Sequence, residues 1–143
     1  MYTISPFGSV QYARGVSPRV TESSSPLGFG VGGGVLVAEV NTSNGWLTTS
    51  TSSPMYNNNT WVHIVQTTSA TSNTFNTYAN GNLVKTVALN GAIPNGGGGF
   101  LLGRGYYGGP CNYFGRIALV KVYDRALSDT EVYQCFNATK GRF

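Results

Sequence analysis

The sequence predicts a single all-β domain that ends in one short helix, and three observations carry that prediction. Ser, Thr and Asn make up 41 of 143 residues while charged residues are only 10%, so the surface is made polar mainly by hydroxyls and amides. Twenty glycines supply the positive φ that tight turns need and weaken helix interiors. Apolar residues come in short runs cut by turn residues, and the spacing becomes helical only after Asp124. A chain of this length buries a real core as one domain, 1–143, and leaves no room for a second.

Up to Pro54 the strand candidates are Tyr2-Ile4, Val10-Tyr12, Phe29-Val31, Val35-Val40 and Trp46-Leu47, punctuated by Ser-Ser-Ser-Pro at 23–26 and Gly-Gly-Gly at 32–34. These are runs of β-forming residues bounded by turn formers. Residues 50–59, with Pro54 and three consecutive asparagines, read as a polar loop. Trp61-Val-His-Ile-Val-Gln-Thr-Thr is β-branched and aromatic and alternates as a half-buried strand. Asn80-Gly81, between Thr74-Ala79 and Leu83-Leu89, predicts a two-residue hairpin. Phe100-Leu-Leu is a further short strand, and Phe114 to Tyr123 the longest. Ser128, three residues ahead of Glu131, forms a capping box, and Val132, Cys135 and Phe136 follow at helical spacing. A helix is therefore expected to start at about Asp129.

Nine basic residues stand against five acids, and they are scattered. With no basic stripe, nucleic-acid binding is not expected. No apolar run approaches a membrane span, and the first residues lack the basic and apolar regions of a secretion signal, so no membrane association or leader is expected. Cys111 and Cys135 are the only cysteines. They cannot make a zinc site, which needs four ligands; a disulfide and a pair of reduced thiols both remain open.

The pieces Trp61-Val-His-Ile-Val, Tyr78-Ala-Asn-Gly, Leu101-Leu-Gly and Phe114-Gly-Arg-Ile-Ala-Leu-Val-Lys-Val-Tyr-Asp-Arg-Ala-Leu-Ser-Asp-Thr-Glu-Val occur in the order seen in laminin G-like domains. The chain thus resembles the concanavalin A-like lectin/glucanase superfamily, which implies a jelly-roll sandwich of two antiparallel sheets. The segment ahead of residue 60 is shorter than in such domains, and Ala118 and Leu119 stand where the family commonly carries Asp-Glu. That replacement makes Leu119 a candidate interface residue, on a strand expected to be covered on one face by the sandwich core and on the other by the C-terminal segment or a second subunit. Calcium, which the family often binds, is not expected: upstream of Asp124 the acids are only Glu22 and Glu39. No cofactor is implied.

Glucanases of the superfamily hydrolyse with closely grouped carboxylates, whereas Glu39 stands alone. Asp129 and Glu131 are explained by the start of the helix. His63, the single histidine, is expected to be packed or hydrogen-bonded, and no serine sits in a nucleophile context. The chain is not expected to be an enzyme. The strongest binding candidates are Tyr106, Tyr107 and Tyr113 in a glycine-rich loop, with Asn112 beside them. They are placed either to stack on a sugar or to pack locally or against a partner.

The terminal block, ending Phe136-Asn-Ala-Thr-Lys-Gly-Arg-Phe143, resembles the ends of bacteriophage structural proteins. That resemblance implies a capsid-decoration or tail-fibre domain on the virion surface, contacting other virion proteins or copies of itself. The alternative is a lectin-like carbohydrate-binding module that meets host or matrix glycans.

Overall fold

A computed structural model describes residues 9–12, 27–32, 35–51, 60–93 and 117–142. Seven strands and one helix follow in chain order: β1 (Ser9–Tyr12), β2 (Leu27–Gly32), β3 (Val35–Thr42), β4 (Gly45–Ser50), β5 (Ile64–Ser69), β6 (Thr74–Ala79), β7 (Asn82–Ala88) and α1 (Asp129–Thr139). They form two antiparallel sheets, of order β1-β5-β6-β7 and β2-β3-β4. The expected strand Tyr2-Ile4 and strand Phe100-Leu-Leu lie outside the described residues.

The sheets face each other because each strand turns alternate residues inward. From β3, Leu36 packs with Val62, Ile64 and Ala79, while Ala38 and Val40 pack with Phe75 and Leu89; all are buried. Polar residues share this interior: Gln66 stands opposite Thr77 in the β5–β6 register, and both are buried with Thr68 and Thr49. Turns fix the register. Asn80 and Gly81 hold φ of 49° and 81°, the left-handed pair that a two-residue hairpin demands. A side chain at Gly81 would also meet Phe136 and Tyr133 at 3.0–3.1 Å, so the hairpin tip is a seat for the helix.

Helix α1 begins where the capping box places it. The Ser128 side chain accepts from the Glu131 N–H, and the Glu131 carboxylate accepts from the Ser128 N–H at 2.9 Å. Arg125 donates to the same carboxylate, joining the preceding turn to the helix. The helix lies on the outer face of the four-stranded sheet, where Val132 and Leu127 pack with Val65 and Tyr78. The Tyr78 hydroxyl donates to Asp129 Oδ1 at 2.7 Å.

This third layer corrects one expectation. The Trp61-to-Thr68 segment is not a half-buried strand: residues 64–68 are buried on both faces, by the sandwich core on one side and the helix layer on the other. Regular pairing also starts later, at Ile64, because Asn80 takes over at the tip. Its N–H donates to the His63 carbonyl, and its Oδ1 accepts from the His63 N–H, at 2.8 and 3.0 Å.

The expected long strand Phe114 to Tyr123 is corrected as well. Residues 114–116 lie outside the described region, and 117–123 carry a single bridge, at Val122. Nor does the chain cover both faces, since Ile117 and Val122 are 36% and 46% exposed. The segment is held by its end, where Tyr123 packs beside Cys135 under the helix layer. Leu119 is half-buried. Among the described residues no helix is long and apolar enough to cross a membrane.

Tyr78→Phe removes the bond to Asp129 while keeping the ring. A hydrogen bond to a charged group contributes roughly 1.5–3 kcal/mol, reduced here because Asp129 is exposed. Denaturant unfolding of this variant is expected to show a loss of about 1–2 kcal/mol; unchanged stability in denaturant melts contradicts the role given to this bond.

Candidate functional site on the three-stranded sheet

The outer face of β2-β3-β4 follows from register. Leu36, Ala38 and Val40 point into the core, so Glu39 and Asn41 lie on the other face. Glu39 stands opposite Gly28 on β2 and Thr48 on β4, and Asn41 opposite Trp46. Gly28, Gly30 and Gly32 occupy the outer-face positions of β2 in succession. Trp46 stands at one end of this face, 41% exposed, with Thr48 and Ser50 exposed along the same strand and Asn41 half-buried across from it. Glu39 is only 3% exposed although it is turned away from the sandwich core, and the Thr48 hydroxyl donates to its Oε1 at 3.3 Å.

Trp46 is presented by a pinned turn. Gly45 closes the β3–β4 hairpin at φ 102°. The Thr42 hydroxyl lies 2.9 Å from the Gly45 carbonyl and 2.6 Å from Asn90 Oδ1, and it accepts from the Asn44 N–H. The Ser43 N–H donates to the Ala92 carbonyl at 2.7 Å, Ala92 N–H returns a bond to the Ser43 hydroxyl at 3.1 Å, and the Asn44 amide donates to the Asn90 carbonyl. A tip tied to a second segment at several points holds the indole in place before any ligand arrives, which lowers the ordering cost of binding.

An exposed indole with flanking amides and hydroxyls suits the flat C–H face and directional hydroxyls of a sugar ring. Hydrolysis by a carboxylate pair is not assembled among the described residues. Glu39 is the acid of this sheet, while Asp124, Asp129 and Glu131 belong to the turn and helix start in the outer layer. No group of three His, Cys, Asp or Glu side chains able to hold a metal ion occurs among the described residues.

Tyr106, Tyr107, Asn112 and Tyr113 lie outside the described residues, as does Cys111. Cys135 is a free thiol, 3.7 Å from the Tyr123 hydroxyl; burial and this thiol push that hydroxyl up to about 12. His63 packs against the Phe136 ring, centroids 5.7 Å apart. Its ring nitrogens are buried and have no hydrogen-bond partner among the described residues, so it is packed rather than hydrogen-bonded. A signal for the outer face of β2 is present in the sequence: Leu27-Gly-Phe-Gly-Val-Gly32 alternates apolar residues with glycine at period two.

Two antiparallel sheets packed face to face, with one helix laid on the outer side of the larger, give the sandwich architecture of the chain. The chain belongs to the concanavalin A-like lectin/glucanases superfamily, through a laminin G-type family model that matches residues 5–133. Among solved structures it is similar to the CBM40 of the Ruminococcus gnavus IT-sialidase, at TM-score 0.74 and 16% identity over 94% of this chain and 84% of that one. It is also similar to the binding domain of Paraclostridial Mosquitocidal Protein 1, at 0.70 and 19% over 95% of this chain and 38% of that one. A third is the native heptameric SAP-like pentraxin of Limulus polyphemus, at 0.67 and 16% over 97% and 74%. The chain spans 36–41% of the length of several matched structures. No curated protein sequence matches it.

Two groups make folding pH-dependent. Burial and then the nearby Lys121 charge lower His63 from 6.5 to about 4. The unfolded chain therefore binds this proton more readily, and stability is complete above 6.5 and lost as pH falls toward 4. Hydrogen bonds from Arg125 and Ser128 lower Glu131 from 4.5 to about 2, a contribution present above 4.5 and lost toward 2. Melting temperature against pH is expected to fall through both windows, with His63→Gln flattening the upper one and Glu131→Gln the lower.

Proposed function

We propose that this chain is a non-catalytic, lectin-like carbohydrate-binding module whose ligand lies on the outer face of β2-β3-β4 against Trp46. The carrying observation is the indole itself: 41% exposed, at the end of a polar sheet face, on a turn pinned to residues 90–92. An exposed tryptophan costs solubility unless something covers it in use. The fold's neighbours support the reading, since the R. gnavus CBM40 is also known bound to α2,3 sialyllactose and a botulinum neurotoxin binding domain in complex with SialylT.

Carbohydrate binding replaces the virion structural role as the main reading. The matched structures include a carbohydrate-binding module and toxin binding domains, whereas the particle role rests on the resemblance of the terminal block. A virion surface is retained as the proposed setting in which the glycan is met. Tyr106, Tyr107, Tyr113 and Asn112 are proposed as a further part of the sugar contact, and Leu119 as a contact with a virion protein or another copy of the chain.

Glycan-array binding followed by titration tests the reading. Trp46→Ala is expected to weaken the best ligand by about 2 kcal/mol, roughly 30-fold, with the melting temperature unchanged. Tyr106→Ser with Tyr107→Ser reports whether that loop shares the contact. Absence of binding to any glycan, or full affinity in Trp46→Ala, overturns the sheet-face assignment.

A further inference from the structure

The turn that presents Trp46 is pinned through two asparagines, and each of them is followed by glycine: Asn44-Gly45 and Asn90-Gly91. A third such pair, Asn80-Gly81, forms the β6–β7 hairpin tip, and Asn95-Gly96 lies outside the described residues. In an Asn-Gly pair the glycine backbone nitrogen can attack the asparagine Cγ, because the glycine has no side chain to stand in the way. The new C–N bond closes a five-membered succinimide, the Cγ–Nδ2 bond breaks, and the side-chain nitrogen leaves as ammonia, carrying the proton of the glycine nitrogen. Water then opens one of the two imide C–N bonds and yields aspartate or isoaspartate.

The fold treats the three described pairs differently. Gly81 is buried, and an added side chain there would meet the Phe136 and Tyr133 rings at 3.0 and 3.1 Å. Asn80 is held twice, its N–H donating to the His63 carbonyl and its Oδ1 accepting from the His63 N–H. Gly91 is half-buried against the Trp46 turn, where an added Cβ would lie 2.6 Å from Ser43 Oγ and 3.2 Å from the Asn44 nitrogen. The side chain of Asn90 is engaged as well, since its Oδ1 accepts from the Thr42 hydroxyl at 2.6 Å. Asn44 and Gly45 are both exposed, and an added Cβ on Gly45 would meet nothing within 4 Å. Gly45 and Thr42 are the last pair of the β3–β4 ladder, and ladder ends open first. Of the three asparagines, Asn44 is the one whose side chain most readily reaches the nitrogen that follows it.

We propose that Asn44 is a site of spontaneous deamidation, and that its conversion unpins the turn that presents Trp46. The Asn44 amide donates to the Asn90 carbonyl. A carboxylate in its place has no hydrogen to donate and sets a negative charge against a carbonyl oxygen. Isoaspartate also lengthens the turn backbone by one carbon atom, which displaces Gly45 from its partner Thr42. The remaining ties run from Thr42 to Asn90 and from Ser43 to Ala92. They hold the turn on its β3 side, so the side that carries Trp46 is the one released. The core is spared, because Asn44 is exposed and takes no part in it.

The test ages the whole chain at mildly alkaline pH and follows two readouts, neither of which involves a ligand. Peptide mapping by mass spectrometry measures conversion at each asparagine, and 15N relaxation of the Trp46 indole N–H, assigned with Trp46→Phe, measures its motion. Conversion at Asn44 is expected to run about tenfold or more ahead of Asn80, and ahead of Asn90. Indole motion should rise in step with it. Asn44→Asp should show the more mobile indole in fresh protein, with an unchanged circular dichroism spectrum. Asn44→Gln, whose longer side chain closes a ring far more slowly, should show no change in the indole on ageing. Conversion at Asn80 or Asn90 as fast as at Asn44 overturns the assignment of the site. An indole as ordered in Asn44→Asp as in the fresh parent, or one that loosens in aged Asn44→Gln, overturns the link to the Trp46 turn.

Discussion

The bond from the Tyr78 hydroxyl to Asp129 is where the three layers of this domain are locked together. Tyr78 is buried at the centre of the four-stranded sheet, with Val65 beside it and Leu127 and Val132 above. A phenol so placed must satisfy its hydroxyl within the protein. It does so on the first residue of the helix, which fixes where α1 starts relative to the strands. Burial and the neighbouring carboxylate both push the Tyr78 ionisation upward, so the hydroxyl keeps its proton as a donor.

Once α1 is fixed, the outer surface of β5 and β6 is closed, and ligand surfaces are left to other places. The opposite sheet carries glycine at each outward position of β2 and keeps Trp46, Thr48 and Ser50 exposed on β4, while Glu39 between them is buried. The helix itself rests Tyr133 and Phe136 on the hairpin tip.

Local signals were read correctly where local chemistry decides the outcome. Asn80-Gly81 specified a left-handed two-residue turn, and Ser128 with Glu131 specified a helix start, because each depends on a few neighbouring backbone groups. The candidate site was less legible. Trp46 sat in a strand candidate with no mark of exposure, since register, not residue type, decides which face it takes. Glu39 looked isolated in the chain, yet pairing brings Thr48 to it and Asn41 to Trp46 from the facing strands.

The sequence by itself determined the all-β class, the strands of both sheets in the described region, the hairpin at residue 80 and the capped helix, because alternation, turn residues and caps act over a few residues. Tertiary structure alone decided that residues 64–68 would be buried on both sides, that residues 117–123 would carry one bridge, and that His63 and Lys140 would both meet the Phe136 ring. A period-two pattern reports the polarity of two faces, but not what is laid over either. The helix that covers β5 comes from some sixty residues further along the chain, and only packing of the folded layers brings such distant segments together.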